Sequence, residues 1–181
     1  MSPRMLRGTP CRPAADERGV ALVEFALVLP LVLLLLFGMI DFGKAINYWN
    51  DETHLANEAA RYAAVNSNPG APGSPSLEAW IKDRADSGEL RNGGASVESP
   101  GVSVSFCFVD KYPPGDPNAG QPITTRGHPV KATVSATYHW LGYLVGKGLP
   151  TKQTITATST MRIEKDYDGT KYSKSGPVLC P

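Results

Sequence analysis

The sequence predicts an α+β protein, in which a long N-terminal transmembrane and stalk helix packs against a small antiparallel β-sheet head. Three observations predict this. The apolar residues are concentrated in one run from Val20 to Ile40. Helical spacing of apolar and small residues then continues to about Asn66. Beyond it the composition shifts, with 14 of the 18 glycines and 12 of the 16 prolines in residues 69–181, which is the punctuation of short strands and turns. The whole-chain averages, a mean hydropathy of −0.20 and a net charge of +1, hide this unevenness. A near-neutral chain does not have the basic excess of a phosphate-tracking protein, so nucleic acid is not an expected partner.

Residues 1–19 carry Arg4, Arg7, Arg12 and Arg18 against Asp16 and Glu17, with three prolines and no apolar periodicity. They read as a disordered cytoplasmic leader. Residues 20–40 follow, interrupted only by Glu24, Pro30 and Gly38. A bilayer needs roughly 20 such residues as a helix, so this is a membrane span. Arginines on its N-terminal flank favour keeping that flank inside, which places everything after Asp41 outside. A cleavable secretory signal is the competing reading. Its apolar core would run only about 7–15 residues before a small-residue cleavage site, whereas this run is longer and no A-x-A pattern closes it.

Residues 41–66 read as an extracytoplasmic extension of the same helix. Phe42, Ala45, Ile46 and Trp49 recur at helical spacing and predict one apolar face. Ala56, Ala59, Ala60, Ala63 and Ala64 continue with small residues that permit close approach by a sheet or helix. Asn68-Pro69-Gly70 supplies a stop. At about 1.5 Å per residue the helix reaches roughly 70 Å. His54 and Glu58 lie one turn apart, a surface pair rather than a metal site, because no further ligands have suitable spacing.

Residues 67–181 form the expected β-rich head, with a linker from Asn66 to Pro75. Ser76 is placed to cap a short helix carrying Leu77, Trp80 and Ile81. Strands are expected at 101–109, 130–140 and 153–164, rich in Val, Ile, Thr and Tyr. Their inward faces are Val102, Val104, Phe106 and Phe108; Val130, Ala132, Val134, Ala136 and Tyr138; and Ile155, Ala157, Ser159, Met161 and Ile163. Residues 111–129 are a Pro/Gly-rich loop. Trp140, Leu141, Tyr143, Leu144 and Val145 make an apolar patch that reads as core, with a partner-contact loop as the alternative. Outside the leader, with its Cys11, stand Cys107 and Cys180. An even count in an oxidising compartment fits one disulfide between Cys107 and Cys180, and two free thiols are the alternative.

No signature of catalysis is present: no G-x-S-x-G, no phosphate-binding glycine loop, no H-E-x-x-H and no C-x-x-C. His128 precedes a proline and His139 lies in a predicted strand, both ordinary structural positions. The expectation is a protein that is not an enzyme and takes no cofactor and no metal.

Glu24 is the residue that composition does not explain, since a carboxylate in hydrocarbon is costly and is usually paired or functional. It stands five residues after Gly19 and is followed by Phe25. The segment from Arg18 to Pro30, RGVALVEFALVLP, resembles the N-terminal motif of TadE-like proteins, pseudopilins of the tight-adherence (Tad/Flp) type IV pilus machinery. Asp41-Phe42-Gly43-Lys44 and the segment from Asn57 to Ala63 extend the resemblance. It implies a pilin-like fold and cleavage by a membrane-embedded prepilin peptidase after Gly19, making Val20 the mature N-terminus. It also implies an assembly or recognition role for Glu24 and Phe25. The implied partners are the peptidase, the major pilin and other pseudopilins, the inner-membrane assembly platform and membrane lipid. The implied location is a bacterial cytoplasmic membrane, single-pass, with pilus association at the cell surface. Glycine lets an extended backbone enter a narrow protease cleft. Cutting there creates an amino terminus within about a turn of Glu24, able to pair with a neighbour's glutamate in low dielectric. A TadF-like role in the same apparatus and an unprocessed membrane-anchored binding module are the alternatives.

Overall fold

The computed structural model describes residues 17–69, 76–142, 152–168 and 176–181. The leader up to residue 16, most of the expected linker and the patch residues 143–145 lie outside them. The chain divides into two units, Met1–Gly38 and Met39–Pro181.

In the first unit the described residues are helical throughout. They begin α1, Glu17–Ala64, a helix of 48 residues with Pro30 inside it. The helix begins three residues before the expected leader boundary, because Glu17 and Arg18 are good helix formers and Gly19 alone does not end a helix. Residues 19–36 are all exposed. A helix apolar on every side has no face to turn to water. Among the described residues this is one apolar helix, near the N-terminus, long enough to cross a membrane, which suggests a single-pass membrane protein.

The second unit holds the remainder of α1, two short helices and one sheet. Helix α2 is Leu77–Asp83, and Ser76 caps it by accepting from the Ala79 N–H. Helix α3, Gly88–Asn92, is capped in the same way by Ser87 at the Leu90 N–H. Five residues beginning with glycine carry no periodic pattern, so α3 was not legible in the sequence. Strands β1 (Ser103–Phe108), β2 (Pro129–His139) and β3 (Lys152–Arg162) form an antiparallel sheet in the order β1-β2-β3. Val104 faces Val134, Phe106 faces Ala132, Ala136 faces Ile155 and Val130 faces Met161 across the ladder. The period of two therefore puts the expected apolar faces on one side. The opposite side is a field of hydroxyls, from Ser103 and Ser105 through Thr133, Ser135 and Thr137 to Thr154, Thr156, Thr158 and Thr160.

The core lies between the apolar side of the sheet and α1. Leu55, Ala56, Ala59, Ala60 and Ala63 share one buried cluster with Phe106, Phe108, Val130, Ala132, Val134, Tyr138 and Ile163. Alanine's single methyl lets the helix backbone approach the sheet closely. The helix ends where Asn66 takes a φ of 49°. There the Glu164 N–H donates to the Ala64 carbonyl at 2.7 Å, tying the helix end to the chain beyond β3. Gly101, at φ 92°, passes so close to the Leu90 carbonyl that a Cβ there would collide with it.

Cys107 and Cys180 are joined by a disulfide across 73 residues of sequence. The C-terminal tail lies beside β1, with the Phe108 N–H donating to the Val178 carbonyl and the Cys180 N–H to the Phe108 carbonyl.

One expectation is corrected. Of Phe42, Ala45, Ile46 and Trp49, expected on one apolar face, Ala45 parts from the other three. Ala45 is buried, whereas Phe42, Ile46 and Trp49 are exposed. The face turned to the head is instead Asp41, Ala45, Tyr48, Glu52, Leu55, Ala56 and Ala59. Two carboxylates lie where an apolar count would place large hydrophobes.

Candidate functional site

Two places stand out, the exposed start of α1 and the stretch where α1 enters the head. The first is the start of α1. Gly19, Val20, Glu24 and Phe25 are helical and exposed, and a Cβ added at Gly19 would meet nothing within 4 Å. Val20 and Phe25 each leave about three-fifths of their surface uncovered, at 60% and 61%. Among the described residues none covers most of the Phe25 ring, and the motif is presented outward.

The second place is where α1 enters the head. Asp41 is 1% exposed, and its carboxylate is fully engaged. Oδ1 accepts a 2.6 Å hydrogen bond from the Tyr138 hydroxyl, and Oδ2 accepts one of 2.8 Å from the Leu141 N–H. Leu141 takes a φ of 54°, which non-glycine residues seldom adopt. Hydrogen bonds to an ionised acceptor are short and strong, so this pair of contacts fixes the end of β2 to the helix. One turn further along, the Lys44 ammonium reaches Glu89 Oε2 at 3.3 Å and Ser96 Oγ at 2.8 Å, while the Tyr48 hydroxyl donates to the same Glu89 oxygen at 2.7 Å. Burial alone would raise the Glu89 carboxyl. The Tyr48 hydrogen bond and the Lys44 charge outweigh it and hold that carboxyl below its ordinary value. The Tyr48 and Tyr138 rings pack 5.8 Å apart and Trp140 stands edge-on to Tyr138 at 5.3 Å.

Glu52 lies one further turn on and is the opposite case. It is fully buried, and neither carboxylate oxygen has a hydrogen-bond partner. Burial, and then the nearby charge of Asp51, pushes its carboxyl up to about 8. It is therefore mostly protonated at neutral pH.

The remaining candidates have structural surroundings. Glu58 pairs with Arg84, Nε to Oε1 at 3.1 Å, rather than with His54, and Arg84 lies over the Trp80 ring at 4.9 Å. These contacts fasten α2 to α1. His128 Nδ1 is 2.8 Å from Asp110 Oδ2, and His139 is buried. Among the described residues no three His, Cys, Asp or Glu side chains converge as a metal site would require.

In the sequence Asp41 and Lys44 end the apolar run and belong to a segment that extends the family resemblance, and Glu52 carries no local signal of its own. The signal was their spacing. Asp41, Ala45, Tyr48, Glu52, Ala56, Ala59 and Ala63 recur every three or four residues, in phase with the alanines that the head covers.

Residues 19–61 match the family model described as TadE-like protein. The match begins at Gly19 and runs through the membrane helix and the Asp41–Lys44 turn into the alanine-rich face. Over these residues the chain is similar to TadE-like proteins. No curated protein and no solved structure matches the chain.

Proposed function

We propose that the chain is a minor pseudopilin of the TadE type, cut between Gly19 and Val20 by a prepilin peptidase and used in assembling a Tad/Flp-type pilus. The observation that carries this reading is the family match beginning at Gly19, the position where the glycine–glutamate–aromatic spacing puts the cut. The outward presentation of Gly19, Glu24 and Phe25 supports it, because a protease and a neighbouring subunit both need access. The leader stays in the cytoplasm and the head lies outside. Its partners are the peptidase, the major pilin and other pseudopilins, and the assembly platform of the cytoplasmic membrane. The role is structural rather than catalytic, and it serves adhesion of the cell to surfaces.

After cleavage, the Val20 amino group and Glu24 provide opposite charges near one membrane face. Pairing between neighbouring subunits would offset the desolvation of both and set their axial register.

The test is the mass of the mature chain extracted from membranes of cells that carry the peptidase. A chain starting at Val20, restored to full length by Gly19→Val, is the expected result. An intact leader in peptidase-positive cells overturns the reading in favour of an unprocessed membrane-anchored module. Glu24→Ala is expected to leave insertion and cleavage intact and to reduce piliation; unchanged piliation removes the register role.

A further inference from the structure

The charges that end the apolar run in the sequence do not end it on the surface of the helix. Asp41 is 1% exposed, beneath Tyr138 and Leu141. Lys44 is held by Glu89 and Ser96. The surface of α1 left uncovered beyond Gly38 is instead Met39 at 73% exposure, Phe42 at 59%, Ile46 at 42% and Trp49 at 54%. These four residues recur at steps of three and four, so they share one side of the helix. The exposed polar residues among them are Asn47 and Asn50, and the first acidic side chain at the surface is Asp51.

From this we infer that the bilayer's head-side boundary lies at Trp49 rather than at Asp41, with Phe42, Ile46 and Trp49 seated in the lipid interface. The inference rests on the reading of residues 20–40 as a membrane span and extends it. Three features point to lipid as the occupant. The stripe continues the apolar run of the same helix without a break. The stretch from Val20 to Trp49 contains 30 residues, about 45 Å at about 1.5 Å each, which matches the roughly 40–45 Å of a bilayer with its interfacial regions. It also terminates in a tryptophan, whose ring places an apolar body and one N–H donor at the headgroup level, as Trp residues do in membrane proteins. The head makes this seat feasible. By taking Asp41 wholly and Lys44 in part into its own hydrogen bonds, it reduces the charge that would otherwise keep this turn of helix in water.

The experiment uses the full chain, with Cys11→Ser and the Cys107–Cys180 disulfide intact, reconstituted in phosphatidylethanolamine–phosphatidylglycerol vesicles. An environment-sensitive fluorophore is attached to a single cysteine placed in turn by Leu33→Cys, Ile46→Cys, Trp49→Cys and Asn57→Cys. All four positions are exposed, so the label displaces no core residue. Acyl-brominated lipid and aqueous iodide serve as quenchers. The expected result is loss of emission to brominated lipid at positions 33 and 46, a smaller loss at 49, and loss to iodide alone at 57. If 33 is quenched by lipid while 46 and 49 respond only to iodide, the boundary lies at Asp41 and the inference fails with the span intact. If 33 itself responds to iodide, the span reading fails. If 46 and 49 are shielded from both quenchers until the protein is diluted with lipid, a second copy covers the stripe, and the inference is overturned.

Discussion

The two parts of α1 solve the same physical problem in opposite ways. Up to Gly38 the helix is apolar on all sides, so it has no preferred face and depends on a solvent that is itself apolar. Beyond Met39 the helix is divided. One side is covered by the sheet, and that covered side contains Asp41, Tyr48 and Glu52, while Phe42, Ile46 and Trp49 stay outside. The difference teaches that hydrophobicity alone does not say which side of a helix is inside. In the second part, what counts as inside is decided by hydrogen-bond partners supplied by Tyr138, Leu141 and Glu89, far along the chain. Asp41 and Glu52 mark the extremes, the first with every contact made and the second with none.

The largest expected effect comes from removing the satisfied carboxylate. Asp41→Ala strands the Leu141 N–H and leaves the buried Tyr138 hydroxyl only its 3.3 Å bond to the backbone carbonyl of residue 41, and each unsatisfied group costs about 1–3 kcal/mol. Denaturant unfolding of the detergent-solubilised full chain should therefore show a loss of about 2–5 kcal/mol, with membrane insertion unchanged. A loss below about 1 kcal/mol would mean that the helix–head junction does not depend on this contact.

Glu52 should behave in the opposite sense. Its folded carboxyl titrates at about 8 against an ordinary value of 4.5. Folding therefore takes up a proton between those values. The associated stability is complete below pH 4.5 and is lost as pH rises to 8. At about 1.4 kcal/mol per unit of displacement, the advantage of Glu52→Leu over wild type should grow by roughly 4 kcal/mol as pH rises from 4.5 to 8. Below pH 4.5 only the pH-independent part of the gain, from removing an unsatisfied buried polar group, should remain. A variant whose advantage is independent of pH would show that packing, not the charge, is being relieved.

The alanine face gives the third contrast. Ala60→Leu pushes three further carbons into a fully packed seam and is expected to cost about 1–3 kcal/mol. Leu34→Ala, on the exposed part of the same helix, should change the unfolding of the head by less than about 0.5 kcal/mol. Equal effects at the two positions would erase the distinction drawn between the two parts of α1. The smallest effect is expected from Lys44→Gln. Its ion pair with Glu89 is partly solvated, so the loss stays under about 1 kcal/mol. Glu89, without its neighbouring cation, should titrate closer to an ordinary carboxylate by NMR.

The strands were legible because a half-buried sheet repeats every two residues. Val130, Ala132, Val134, Ala136 and Tyr138 could only share a face. Helix α2 was legible from Ser76 and its apolar trio. Helix α3 was not, since its one buried side chain, Leu90, leaves no period to detect. In the candidate site the glycine–glutamate–aromatic motif was plain, because its signal lies in spacing along one helix. The Asp41 contacts were not, because Tyr138 lies 97 residues away and nothing local announces that a carboxylate will be paired rather than solvated.

The sequence by itself determined the membrane helix, its continuation into the head and the three strands with their inward residues. Each of these follows from local periodicity, composition and length, which act between near neighbours in the chain. Only the tertiary structure decided which side of the second part of α1 is covered, that Asp41 is satisfied while Glu52 is not, and that Phe42, Ile46 and Trp49 are left outside. Those outcomes depend on the free energy of burying a polar group, which is set by the partners that distant segments bring to it.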